Sequence, residues 1–194
     1  MQEINKSDYK SSNWSATAWP PQAGVQYYGR GPMQLSWNYN YGQFSNIFVE
    51  GRYDSKMALL VNPDLVHTDG YTAFAAGLWF YMTPQSPKPS MHDVMTGFFE
   101  PNAADTTNNV GANFATTINI INGGLECGNG FGYDKVVRRG QYFTEWLSYF
   151  GLPSEGDLDC GNQPKNLSYG GASTVNMYWE KDWSNVGRCK VSQW

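Results

Sequence analysis

Charge is what this sequence has least of. Asp, Glu, Lys and Arg make up 15% of its 194 residues, against roughly a quarter in an ordinary soluble domain. A disordered chain would be rich in charge and poor in rings, so that class is excluded. A coiled coil, built from Ala, Glu, Lys and Leu, is excluded too. The 13 basic and 17 acidic residues leave a formal charge of −4. Phosphate binding wants a basic face, so no nucleic-acid partner is expected. Histidine is scarce: His67 and His92 stand apart from any nucleophile motif, and there is no GxSxG elbow. No P-loop or GxGxxG follows a strand pattern. The three cysteines include no CxxC pair, so neither zinc nor any other metal or cofactor is expected. No stretch approaches the ~20 apolar residues of a membrane span. The longest apolar run, Phe74–Met82, is interrupted by Gly77, and the first residues hold no hydrophobic signal core. No membrane partner is expected.

Rings and turn residues are what the chain has in quantity: 8 Trp, 13 Tyr, 10 Phe, 21 Gly and 10 Pro. Rings on a weakly charged surface suit a neutral polymer such as a polysaccharide. The length allows one domain with a proper core.

The hydrophobic spacing predicts a mainly helical chain. One helix covers 69–82, capped by Thr68 or Asp69 and ended by Thr83-Pro84. Its expected buried face is Tyr71, Phe74, Ala75, Leu78, Trp79 and Met82, at i, i+3, i+4, i+7, i+8 and i+11. A second covers 134–150, capped by Asp134, with Val136, Phe143, Trp146, Leu147 and Phe150 inward and Gly151 and Pro153 as its stop. A third covers 110–121, with Phe114, Ile118 and Ile121 inward, closed by Asn122-Gly123-Gly124. A short one at 55–61 precedes Asn62-Pro63. Strand signals are weak. Residues 161–194 change character: polar, glycine-rich, carrying Trp179, Trp183 and Trp194, with no helical period. They read as an extension after a domain spanning 1–160, or as the start of a small module.

With histidine and metal chemistry excluded, carboxylate chemistry on a neutral polymer remains. The block Gln34-Leu35-Ser36-Trp37-Asn38-Tyr39-Asn40-Tyr41-Gly42 is dense in amides, hydroxyls and rings. Such groups hydrogen-bond sugar hydroxyls and lie against pyranose faces; they also build buried polar networks that hold a turn. Glu126 and the pair Arg138-Arg139 on the next helix can form an internal ion pair. Cys127, Cys160 and Cys189 admit two readings: one disulfide with a spare thiol, or three buried thiols.

The stretch from Tyr27 to Gly42, with Tyr28-Gly29-Arg30-Gly31-Pro32 at its head, resembles the signature of the family 19 glycoside hydrolases, the chitinases of plants and some bacteria. Leu78 to Ser90, ending Ser86-Pro87-Lys88-Pro89-Ser90, resembles a second block of that family, and Asn119 to Gly128 a third. The three stand in order and span most of residues 3–160. The resemblance implies a lysozyme-like, mostly helical fold of two lobes with a cleft. It implies hydrolysis of β-1,4 links between N-acetylglucosamine units of chitin with inversion, which needs one carboxyl as acid and one as base. The expected partner is chitin or its oligosaccharides, and the expected state a monomer.

Residue by residue, the resemblance puts the base at Glu3, ahead of Asp8-Tyr9, and the water-holding serine at Ser36. It puts substrate contacts at Trp19, Gln34, Tyr39, Asn40, Lys88, Asn122, Glu126 and Arg139. Glu126 and Arg139 would help position the base and tune its charge. It pairs Cys127 with Cys160, and leaves Cys189 outside. It implies a secreted or extracellular protein, where a disulfide persists.

The chain departs from the family pattern at its start. The family's general acid lies in a His-Glu-Thr motif ahead of the base glutamate, and this chain begins two residues before Glu3. The expectation is a poor catalyst, with apolar surface left exposed where the family's first helices would pack. A non-catalytic binder of chitin oligosaccharides and a lysozyme-type hydrolase of peptidoglycan are the other readings.

Overall fold

The computed structural model describes residues 1–4, 6–11, 17–48, 52–53, 55–85, 88–167, 177–178 and 190–191. Cys189, and the tryptophans at 179, 183 and 194, lie outside the described residues. The chain forms two compact units, one from Met1–Tyr81 and the other beginning at Met82.

The first unit starts as woven loop. Gln2 bridges Arg30, and Arg30 in turn bridges Leu35. Arg30 is the pin of this loop. The residue is 3% exposed, and its guanidinium carbon lies 3.6 Å from the centroid of the Tyr28 ring. It donates to Asp64 at 2.8 Å, to the Gln26 and Tyr28 carbonyls, and to the Tyr41 hydroxyl. A buried guanidinium tolerates such a place only when its donors are spent in this way.

Helix α1, Asn38–Phe48, comes after the loop and was not expected from the sequence. Tyr41 and Phe44 face the core, but Asn38 and Ser45 are fully buried beside them. Both are hydrogen-bonded. Asn38 accepts from the Ser11 N–H and donates to the Trp19 carbonyl, and Ser45 accepts from the Leu59 N–H. A buried polar face of this kind hides the helical period.

Next come two short helices, α2 (Ala58–Val61) and α3 (Leu65–Thr68), then α4 (Gly70–Met82). Asp69 caps α4 by accepting from the Thr72 N–H and hydroxyl. The bounds match the expected helix, but of the expected buried face only Ala75 and Trp79 are buried. Thr72, Ala73, Ala75, Ala76 and Trp79 are buried, whereas Tyr71, Phe74, Leu78 and Met82 are exposed, Phe74 at 70%. The reason is that α4 is apolar nearly all round, so spacing alone cannot choose its inward side. Small Ala75 and Ala76 admit close approach, and Trp79 packs its ring 5.6 Å from that of Phe44. The core also takes in Trp19, Tyr27, Leu35, Leu59, Leu60 and Val66.

The second unit carries α5 (Met91–Thr96), α6 (Ala103–Thr107), α7 (Phe114–Glu126) and α8 (Asp134–Tyr149). Beyond them is one antiparallel pair, β1 (Met177–Tyr178) with β2 (Lys190–Val191). Helix α7 runs past its expected end. Asn122 takes φ −149 and ψ 30, and the helix resumes after this break as far as Glu126. Helix α8 buries Val136 and Gly140, with Phe143 and Leu147 partly covered. Trp146 and Phe150, expected inward, are exposed and stack on one another. Gly140 explains the shift: a Cβ there would stand 3.2 Å from Leu158, so the segment before Cys160 presses on this side of the helix. Asp134 is the first helical residue, and the cap, Tyr133, makes no side-chain bond.

Cys127 and Cys160 form the disulfide that the resemblance implied, both fully buried beside Ala115, Ile118 and Val136. It closes a loop of sequence separation 33. By loop-closure entropy, reduction should cost about 3–4 kcal/mol. Urea unfolding with and without reductant checks this, and an unchanged midpoint would contradict it.

Candidate functional site

The candidate residues fall into two groups, one in each unit. In the first unit, Glu3 is held at both carboxylate oxygens. The Tyr9 hydroxyl donates to Oε1 at 2.9 Å, and the Gly29 N–H donates to Oε2 at 2.9 Å. The Glu3 N–H returns a bond to the Gly29 carbonyl at 2.8 Å. The carboxylate raises the Tyr9 hydroxyl pKa, first through this hydrogen bond. Tyr9 is thereby kept protonated and donating.

Gly29 leads directly into the bridged loop that carries the other candidates. Gln34 donates to the Gly31 carbonyl at 2.9 Å, and the Ser36 hydroxyl donates to the Gln34 carbonyl at 3.0 Å. Asn40 donates to the Ser36 carbonyl, while its Oδ1 is buried and accepts nothing from the described residues. Ser36 is flanked by two non-glycine residues at positive φ, Gln34 at 57° and Trp37 at 75°. Such angles cost of order 1 kcal/mol each and cluster at functional sites. The Tyr39 ring stacks on Trp37 with centroids 6.0 Å apart, and Trp37 meets Tyr9 edge-on at 5.3 Å. Rings therefore lead in steps from the Glu3 partner to Tyr39. Trp19 is 4% exposed and packs against α1 at Gly42.

In the second unit, Glu126 is buried, at 1% exposure. Arg139 grips it with two bonds, Nε to Oε2 at 2.7 Å and a terminal nitrogen to Oε1 at 2.9 Å. Asn122 donates to Oε1 at 2.7 Å. Burial pushes the Glu126 pKa up, but the bonds and charge from Arg139 and the Asn122 bond outweigh it and leave the carboxyl below its ordinary value. The expected pair of Glu126 with the 138–139 arginines is thus met by Arg139.

Lys88 belongs to this group. Its ammonium donates to the carbonyls of Asn119 and Ile120 at 3.1 and 2.9 Å. Burial pushes its pKa down to about 8. Among the described residues no cluster of three or more His, Cys, Asp or Glu could hold a metal ion.

Sequence reasoning missed two partners of Glu3. Tyr9 was visible, but only as half of the Asp8-Tyr9 spacing mark. The Gly29 N–H is a backbone donor and leaves no side-chain signal.

The chain is similar to known proteins over most of its length. The family described as chitinase class I matches residues 1–160. An endochitinase of Carica papaya is 45% identical over 155 residues, covering 79% of this chain and 60% of that protein. Endochitinase A2 of Pisum sativum is 44% identical over 163 residues, covering 84% of this chain and 47% of that protein. The chain spans about half the length of the curated relatives it matches. Among solved structures, a family 19, class IV chitinase from Zea mays aligns at a TM-score of 0.59 with 33% identity, covering 82% of this chain and 64% of that one. Chitinase C from Streptomyces griseus aligns at 0.57 with 33% identity, covering 82% and 67%. The helical elements accordingly belong to the lysozyme-like architecture of these neighbours. By the match over residues 1–160 and the identity to endochitinases, the chain belongs to the family 19 glycoside hydrolases, chitinase class I.

Proposed function

We propose that this chain is the part of an endochitinase that holds a chitin chain and activates the water that cleaves it. The observation that carries the reading is the Glu3 carboxylate. It is fixed by the Tyr9 hydroxyl and by the Gly29 N–H of the same loop that carries Ser36. A general base must be oriented toward the water it activates, and two donors, one on each carboxylate oxygen, fix that orientation. Glu3 takes the proton of a water, the Ser36 hydroxyl holds that water, and the water attacks the anomeric carbon from the face opposite the leaving oxygen.

Gln34, Tyr39, Asn40, Asn122 and Arg139 offer amide, hydroxyl, ring and guanidinium groups suited to N-acetylglucosamine. Trp19 supports the loop wall from beneath, Lys88 lies with the Asn122 group, and Glu126 sets the direction of Asn122 and Arg139. The proton donor to the leaving oxygen is a second carboxyl, and no residue of this chain is assigned to it. General acid catalysis is worth ~10²–10⁴-fold, so hydrolysis by this chain alone is expected to be slow. A place outside the cytosol agrees with the disulfide.

The test is incubation with a soluble chitin hexamer and with peptidoglycan fragments, with product anomers followed by NMR. Slow release of α-anomer ends from the hexamer alone is expected. β-anomer ends, or cleavage of peptidoglycan in preference, would overturn the reading.

A further inference from the structure

The break in α7 is a built feature with donors arranged around it. An unbroken α-helix bonds the N–H of residue i to the carbonyl of residue i−4. Asn122, at φ −149 and ψ 30, breaks the helical backbone just before Gly123 and Gly124, whose acceptors in an unbroken helix are the carbonyls one turn back. Those carbonyls belong to Asn119 and Ile120, and they are the two that the Lys88 ammonium bonds, at 3.1 and 2.9 Å. One side chain thus holds both carbonyls beside the break. The other side of the break is fixed as well. The fully buried Asn119 amide donates to Gln163 Oε1 and to the Pro164 carbonyl. Gly123 has no room for a side chain, because a Cβ would collide with Asn119 Oδ1 and stand 3.0 Å from the Lys165 carbonyl.

At the break itself, the Asn122 side chain is aimed at Glu126, at 2.7 Å. Its direction depends on the backbone at the break, beside the two carbonyls that Lys88 holds. We propose that Lys88 is a positioning residue for sugar binding: by occupying the Asn119 and Ile120 carbonyls it fixes the break in α7 and so orients the Asn122 amide. This rests on Asn122 as a sugar-binding residue of the proposed function. It differs from a role for Lys88 in touching the sugar, because the effect passes through Asn122.

A double-mutant cycle separates the two. Chitin hexamer is titrated into the wild-type chain, Lys88→Met, Asn122→Ala and the double variant. Each single change is expected to weaken binding about tenfold, and the double variant to bind no worse than Asn122→Ala alone. Losses that multiply would mean that Lys88 meets the sugar itself, and would overturn the proposal. If Lys88→Met does not fold, Lys88→Gln, which removes the charge and shortens the side chain while keeping it polar, takes its place in the cycle. The Asn122 side-chain amide signals in a ¹H–¹⁵N spectrum give a readout that needs no sugar. They should move in the Lys88 variant while distant signals stay, and unmoved signals would overturn the proposal. A wild-type chain that does not bind hexamer would remove the sugar role of Asn122, while the amide signals would still decide whether Lys88 orients it.

Discussion

Replacing Arg139 by methionine is expected to cost about 3 kcal/mol at neutral pH, the low end for breaking a buried ion pair. The low end applies because the Arg139 side chain is 40% exposed and water screens it, while Glu126 is 2% exposed. The variant leaves a buried carboxylate with Asn122 as its remaining donor. Its pH dependence has a definite sign. In the wild type, the Glu126 pKa lies below its ordinary value of 4.5. Its contribution to stability is therefore full above that value and is lost as pH falls through the lower, folded one. Without the guanidinium, burial dominates and the folded pKa rises above the ordinary value. Stability is then lost as pH rises through it. The gap between wild type and variant should be widest at neutral pH and should shrink below pH 4.5. Urea unfolding across this range measures it, and a gap independent of pH would contradict the assignment. Adding Glu126→Gln to Arg139→Met should recover much of the loss, because a neutral amide needs less solvation than a carboxylate.

Glu3→Gln is expected to lower kcat on chitin hexamer by ~10²–10⁴-fold with KM little changed. The amide keeps the shape and one acceptor for Tyr9 or Gly29, but it cannot take a proton from water. Tyr9→Phe should cost less, since the Gly29 N–H still holds the carboxylate. The comparison is with this chain's own basal rate, by single-turnover product release. An unchanged rate in Glu3→Gln would place the base elsewhere.

The sequence was most legible where a helix has caps and stops. The helix at 70–82 was readable from Asp69 and from Thr83-Pro84, and the one at 134–149 from Gly151, which takes φ 65. Burial was less legible. In α4 apolar residues surround the axis, so the small alanines and not the large rings decide which side faces in. In α1 the inward side mixes Tyr41 and Phe44 with Asn38 and Ser45, so no apolar stripe marks it. The disulfide was legible only through the family resemblance, because three cysteines admit several pairings. The candidate site residues were named from the sequence, but their geometry was not legible there. Nothing in Gln34 or Trp37 announces a left-handed backbone, and nothing in Lys88 announces two carbonyl partners on α7. Those features come from tertiary contacts, which override local preference.

The most direct measurement is a calorimetric titration of chitin hexamer into this chain, with Asn122→Ala alongside. Saturable binding that Asn122→Ala weakens about tenfold is the expected result, as for loss of a hydrogen bond in a desolvated site. No binding, or binding that Asn122→Ala leaves unchanged, would contradict the claim that these residues hold the sugar chain.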